Sequence, residues 1–345
     1  MKKKLVGMLA TATLLTMALA GNVQAAEIRS VGPDGEAAVD ASTIELTDDQ
    51  IAQIKEGGYT AAICLHYGGN DWSTSQQKGL EDTFGELGIE IVAVTDANFS
   101  AETQVSNIET VMAKKPDILV SIPTDATATA DAYKQAAAAG IKIVFMDQRA
   151  DGLEAGKDYV SVVSADNYGN GYASGTVLGD ALGGKGKVAM VYYDANFAPT
   201  NQRDEGFRDA MKNYPDIEIV TEQGFTDESG CAEQGDAILT QFPNIDGIYA
   251  SWDVPMEGVL SAVRAAGMEG KVTLACNDLG NNVAREIASG NIAGGGAQMP
   301  YDQGVAEAKL AALALLGEET PSYVAVPAET VTHGKWFYYH CSSCT

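Results

Sequence analysis

From Tyr59 onward, short apolar runs alternate with amphipathic stretches along the chain. Residues 60–66, 89–95, 117–122, 141–146, 159–163, 188–193, 217–221, 247–251 and 272–276 are rich in Val and Ile and apolar at successive positions. Strands buried on both faces of a parallel sheet have that pattern. Between them, residues 73–87, 101–114, 127–139, 168–182, 200–213, 229–241, 255–266, 280–289 and 301–316 read as helices. Gly140 and Gly267 stand just past two of these, where helix C-termini favour glycine.

Regular strand–helix alternation predicts an α/β fold. That many strands exceed one ordinary open sheet and suit two sheets of five or six. The expected architecture is two doubly wound parallel-sheet lobes joined by a three-crossing hinge, since no Pro/Ser-rich linker divides the chain. The crossings are expected near Ala165-Asp166, near Gln298-Met299 and around Tyr323. Ahead of the alternation, Thr47-Asp48-Asp49-Gln50 reads as a helix start, with Thr47 as cap and Gln50 reaching back. A mobile lead-in and one short helix, without chemistry, are expected there.

The first residues change the picture of where the protein works. Lys2, Lys3 and Lys4 precede an apolar run from Leu5 to Ala20, and Val23 and Ala25 offer small residues at a cleavage site. This is the plan of a secretory signal peptide, and the run is short for a membrane span. No Cys follows the small residues, so no lipid anchor is expected, and the mature protein is expected in the periplasm. The expected division is a signal peptide at 1–25 and an extension with a short helix at 26–56. An N-terminal lobe follows from 57–165 and 299–322, then a C-terminal lobe from 166–298 and 323–332, and a tail at 333–345.

The whole chain has 22 basic and 47 acidic residues. Without the three leading lysines the balance is 19 against 47, a formal charge of −28. Such a surface repels nucleic acid and anionic lipid, so neither is an expected partner. Cys64 and Cys276 end apolar runs and read as buried thiols, and Cys231 falls at a helix start. Cys341 and Cys344, near His333 and His340, are too few for a metal site alone, so no metal and no cofactor are expected.

In open α/β sheets ligands bind beyond the carboxyl ends of the strands. His66, Tyr67, Asn70, Asp71 and Trp72 follow the first strand, and Asp147-Gln148 follows the fourth. Arg203 opens a helix of the second half, and Phe225 follows a strand. Trp252-Asp253 and Asp278 end two more strands, and Gln298 follows a glycine-rich run. Carboxylates, amides and a guanidinium pair with sugar hydroxyls, and rings cover C–H faces. The predicted ligand is a neutral monosaccharide or polyol; His66 and Tyr67 are secondary candidates. Asp253 is also a candidate helix cap. A lone His such as His66 is more often a hydrogen-bonded structural residue.

From Tyr59 to Leu316 the chain resembles the ribose-binding type of periplasmic binding proteins. The likeness is carried by Lys115-Pro116-Asp117-Ile118-Leu119-Val120-Ser121-Ile122-Pro123, Ala139-Gly140-Ile141-Lys142-Ile143-Val144-Phe145-Met146-Asp147, Arg203-Asp204-Glu205-Gly206-Phe207, and Gln298 with Pro300 and Gly304. The resemblance implies capture by hinge closure and delivery to the permease of an ABC transporter, by a monomer. It implies a polar contact at Asn70 and an aromatic wall at Trp72, with a second near Phe225. It further implies a sugar-binding Asp147 and Arg203, and a last polar pair at Asp278 and Gln298. Two departures stand out. Gln148 replaces an Arg common in the family, and Trp252 replaces the Asn of ribose binders, which argues against ribose itself.

Docking on a chemoreceptor or sensor kinase is the alternative role. An enzyme is disfavoured because no nucleophile elbow, phosphate loop or zinc motif is present. A repressor is disfavoured because the signal peptide occupies the place of a DNA-binding headpiece.

Overall fold

A computed structural model describes residues 27–334; the signal-peptide reading and the Cys341/Cys344 tail lie outside them. In chain order come β1 (Val39–Asp40), α1 (Asp48–Gly57), β2 (Thr60–Leu65), α2 (Asp71–Glu86), β3 (Glu90–Asp96) and α3 (Ala101–Ala113). Then follow β4 (Ile118–Ser121), α4 (Ala130–Ala138), β5 (Lys142–Met146) and β6 (Ser161–Ala165). The next part holds α5 (Asn167–Ala181), β7 (Lys185–Tyr193), α6 (Ala198–Met211), β8 (Asp216–Phe225) and α7 (Cys231–Gln241). It continues with β9 (Gly247–Ala250), α8 (Asp253–Ala265), β10 (Thr273–Cys276), α9 (Asn281–Ala288) and β11 (Gly294–Ala297). Last are α10 (Pro300–Leu315), β12 (Tyr323–Val326) and β13 (Glu329–Thr332).

These strands form two sheets. The first has seven strands in the order β1-β12-β6-β5-β4-β2-β3, and the second six in the order β13-β11-β10-β9-β7-β8. Every pairing is parallel except β11 with β13. Both faces of each sheet are covered. Ala61, Ile63 and Leu65 of β2 pack toward Leu80 and Phe84 of α2 and Leu310 of α10, while Ala62 and Cys64 pack toward Ile108 of α3 and Tyr133 of α4. In the second sheet Val188 and Met190 meet Leu178 and Phe207, and Ala189 and Val191 belong to the core of α7, α8 and α9. That two-sided burial is why these strands are apolar at every position rather than at alternate ones.

The chain passes between the sheets three times, at Asp166, at Gln298-Met299 and at Pro327-Ala328. The third passage corrects the expected boundary, which placed residues 323–332 in one lobe. Tyr323 pairs with Val162 and Val326 with Ala165, so β12 belongs to the first sheet and only β13 reaches the second. Pro327, which lacks an N–H, suits the passage between two ladders.

Residues 27–40 also differ from a mobile lead-in, because they are tied to both halves beside the first passage. The amides of Arg29 and Ser30 and the Ser30 hydroxyl donate to Asp166 at 3.0, 2.8 and 2.8 Å. The Arg29 guanidinium lies 4.0 Å over the Tyr172 ring of α5, and Asp34 pairs with Arg149 of the first half at 2.7 Å. The capping box at Thr47 and Gln50 forms as its sequence requires. Cys64, Cys231 and Cys276 are buried free thiols.

Candidate functional site: the cleft between the lobes

The first sheet reverses winding direction between β2 and β4, and the second between β7 and β9. The carboxyl ends at such switch points open a crevice, and here the two crevices face each other. The cleft between them is lined from both lobes by residues that end or follow β2, β3, β4, β5, β7, β9, β10 and β11.

Three of the polar lining groups owe their positions to unusual backbone. Asp147 ends β5 with φ +54° and Asp278 ends β10 with φ +67°. Aspartate is among the few residues that occupy this left-handed region without severe strain. Arg203 is set by helix packing: a Cβ on Gly171 of α5 would lie 1.8 Å from the Arg203 carbonyl oxygen, and one on Gly206 of α6 2.1 Å from that of Tyr168. Glycines at both points let α5 and α6 cross backbone to backbone, which brings Arg203 down to the cleft.

A chain of hydrogen bonds runs across the site. The Trp72 indole donates to Gln298 Oε1 at 3.3 Å, and Gln298 Nε2 donates to Asp278 Oδ1 at 2.6 Å. Arg203 Nη1 donates to Asp278 Oδ2 at 3.1 Å, and its Nε to Asn167 Oδ1 at 2.8 Å. Arg203 Nη1 also donates to the Ser251 carbonyl at 3.2 Å. Burial pulls the guanidinium down, but Asp278 and Asp147 outweigh it and hold its pKa above the ordinary value. Asp147 Oδ1 accepts from Ser164, Gln303 and the Ala165 amide at 2.9, 3.2 and 3.4 Å. Burial raises the Asp147 carboxyl above its usual range, against the opposing charge of Arg203.

The rest of the cleft is aromatic. The His66 ring stacks on Phe197 of the opposite lobe at 5.7 Å and meets Tyr67, Trp72 and Phe99 edge-on at 4.7, 5.6 and 5.2 Å. Its Nδ1 is buried without a hydrogen-bond partner, and burial pushes its pKa down to about 3. His66 is therefore a neutral ring of the wall and not the hydrogen-bonded structural residue expected of a lone His. Trp252 meets Tyr193 edge-on at 5.6 Å and donates to Glu228 at 3.2 Å.

Of the residues singled out from the sequence, His66, Tyr67, Asn70, Trp72, Asp147, Arg203, Trp252, Asp278 and Gln298 line the cleft. Four others do not. Asp71 reaches over the mouth to accept from the amide and side chain of Asn281 at 2.7 and 3.0 Å. Gln148 is occupied at both ends, donating to the Pro123 carbonyl at 2.8 Å and accepting from the Ala198 amide of the other lobe at 3.1 Å. Phe225 is buried behind the wall, 5.1 Å from Trp252 and 5.6 Å from Tyr193. Asp253 accepts from the Val254 and Gly280 amides at 2.9 Å each, pinning the loop that carries Asp278. Burial first, and then Asp278, raises its pKa to about 7. Phe99, Tyr193 and Phe197 line the cleft but were not singled out. Tyr193 and Phe197 end and follow β7, and Phe99 follows β3, so the strand-end rule applied to every strand finds them.

Two parallel-sheet lobes closing over a cleft of rings and charged side chains are the anatomy of a hinged solute-binding protein. The chain belongs to the periplasmic binding protein domain family, which matches residues 61–319. It is 27% identical over 213 residues to the ribose import binding protein of Bacillus subtilis, covering 61% of this chain and 67% of that protein. It is 29% identical over 273 residues to the D-ribose/D-allose-binding protein of Pseudomonas aeruginosa, covering 76% and 83%. Among solved structures, an ABC transporter periplasmic solute binding protein from Actinobacillus succinogenes with bound D-allose superposes with a TM-score of 0.75 at 28% identity. That match covers 81% of this chain and 100% of the other. A solute binding protein from Agrobacterium vitis bound with α-D-tagatopyranose gives a TM-score of 0.75 at 26% identity, covering 80% and 95%. Among the described residues no helix is long and apolar enough to cross a membrane.

Proposed function

We propose that this protein captures a neutral monosaccharide or polyol by closing its two lobes and delivers it, as a monomer outside the cytoplasm, to the permease of an ABC transporter. The observation that carries the reading is the Asp147–Arg203–Asp278–Gln298 group, which brings acceptors and donors from both lobes into one aromatic-walled cleft. Ligand hydroxyls bridging Asp147 of one lobe and Arg203 of the other couple binding to closure. Rings of Trp72 and Trp252 suit the C–H faces of a pyranose. Bound sugars in the related solute binding proteins support this ligand class, and the relatives' names support transport rather than catalysis. The residues proposed to touch ligand are Asn70, Trp72, Asp147, Arg203, Trp252, Asp278 and Gln298, with His66 and Tyr67 completing the wall.

The test is mass spectrometry of the small molecule released on denaturing the purified protein, followed by titration of tryptophan fluorescence with pentoses, hexoses and polyols. A released sugar that quenches or enhances the fluorescence is expected. Amino acids or nucleosides responding while every sugar is silent would overturn the ligand class. A ligand recovered chemically altered after long incubation would restore the enzyme reading.

A further inference from the structure

Trp252 stands where ribose binders place an amide, and the connection from β8 to α7 grips its ring twice. Phe225 ends β8 and lies 5.1 Å from the Trp252 ring. Three residues on, Glu228 Oε2 accepts the Trp252 indole N–H at 3.2 Å. The turn that carries Glu228 is itself fixed. Asp227 Oδ1 accepts from the Ser229 amide and hydroxyl at 2.9 and 2.8 Å. Beside it α8 approaches the start of α7 so closely that a Cβ on Gly258 would lie 2.9 Å from the Ala232 nitrogen. Trp252 is 7% exposed, so an indole N–H left without an acceptor there would be costly.

Ring packing alone leaves one choice open. Turning an indole over about its Cβ–Cγ bond keeps much of the area that Phe225 and Tyr193 cover, but moves the N–H to the other edge. The Glu228 carboxylate stands at one edge and so fixes the choice. We propose that Glu228 is a positioning residue of the ligand site: by accepting the Trp252 N–H it sets the orientation of the ring that lines the cleft, so that ligand meets ring carbon there and not a free donor. This rests on the monosaccharide reading for its ligand and adds a residue that acts through Trp252 from outside the cleft lining. Burial raises the Glu228 carboxyl above its ordinary pKa, and the bond from Trp252 draws it back, as a charge-assisted bond does. The aromatic wall expected near Phe225 is thereby supplied by Trp252, with Phe225 and Glu228 behind it.

The experiment compares Glu228→Ala with Glu228→Gln, because glutamine keeps a carbonyl acceptor and alanine has none. In the ligand-free protein, the near-ultraviolet circular dichroism of wild type minus that of Trp252→Phe isolates the Trp252 signal. Glu228→Ala is expected to lose about half of that signal or more, and Glu228→Gln to keep most of it. Calorimetric titration with D-ribose, D-allose, D-tagatose, L-arabinose and myo-inositol gives the second readout. For the tightest binder among these compounds, Glu228→Ala should weaken affinity about tenfold and Glu228→Gln about twofold or less. An unchanged Trp252 signal in Glu228→Ala overturns the proposal, because packing alone then orients the ring. A loss in Glu228→Gln as large as in Glu228→Ala overturns it too, since the charge and not the acceptor would then act. So does wild-type affinity in Glu228→Ala despite an altered signal. Silence from all of these compounds counts against the monosaccharide reading alone, and the dichroism still decides whether Glu228 orients the ring.

Discussion

Asp71→Ala removes a clamp between the lobes without touching the cleft. Asp71 opens α2 of the first lobe, and its carboxylate accepts from the Asn281 amide at 2.7 Å and the Asn281 side chain at 3.0 Å. Asn281 is the first residue of α9 in the second lobe, where backbone amides lack intrahelical acceptors. The perturbation therefore removes two hydrogen bonds and a favourable carboxylate–helix interaction, all present only while the lobes are together. Both partners are exposed, so each contribution is small: about 0.5 kcal/mol per bond and about 0.3–1 kcal/mol for the helix terminus. The total of about 1–2 kcal/mol comes off the closed state alone. Because the observed dissociation constant scales inversely with the closed population, binding of any ligand should weaken about 5–30-fold. Isothermal titration with the best wild-type ligand measures this, and melting of the ligand-free protein provides the control. The melting temperature should hardly move, since two exposed contacts add little to the stability of the two lobe cores. Wild-type affinity in Asp71→Ala would refute the reasoning. So would a loss beyond about a thousandfold, which a rim contact of this size cannot supply and which would mean that Asp71 meets the ligand directly.

Three further outcomes are expected. Asp166→Ala strips the acceptor from the Arg29, Ser30 and Gly169 amides and the Ser30 hydroxyl, and should cost about 3 kcal/mol in urea unfolding; under about 0.5 kcal/mol would show that the N-terminal segment is not anchored there. Gly171→Ala should push α6 outward, since its Cβ would sit 1.8 Å from the Arg203 carbonyl, and lower ligand affinity at least tenfold although Gly171 meets no ligand; retained affinity would dissociate the helix crossing from the site. Asp204, whose carboxyl accepts from Ser251 at 2.6 Å, has its pKa raised to about 6, mainly by burial. Its folded form holds a proton that the unfolded chain has released above about pH 4, so its contribution to stability falls as pH rises from about 4 to 6 and stays low beyond. Denaturant midpoints of wild type minus Asp204→Asn should therefore decline across that window; a flat or rising difference would contradict the sign.

The strands of both lobes were legible because burial on two faces leaves an unmistakable run of Val and Ile, and the capping box at Thr47 because its bonds are local. β11 was not. Gly294, Gly295 and Gly296 have poor strand propensity, yet a Cβ on Gly295 would lie 1.6 Å from the Cys276 carbonyl and one on Gly296 2.3 Å from that of Asn170. Only bare backbone fits between β10 and α5, a demand made by tertiary packing and invisible along the chain. The same holds for β12, whose lobe is decided by its partner β6.

What the chain by itself determined about the cleft was which segment ends line it: Trp72, Asp147, Arg203, Trp252, Asp278 and Gln298 were readable from their positions. Only the folded protein decided which neighbour turns inward. At a strand end successive side chains leave in different directions, and the left-handed backbone at Asp147 and Asp278 sets that direction. Thus Asp147 faces the cleft while Gln148 ties the lobes together, Trp252 forms wall while Asp253 pins a loop, and Asp71 closes the mouth that Trp72 lines. Residue type and spacing specify a binding cleft between two lobes; the division of its polar groups between ligand and lobe–lobe contacts depends on dihedral angles and cross-lobe distances, which no local pattern encodes.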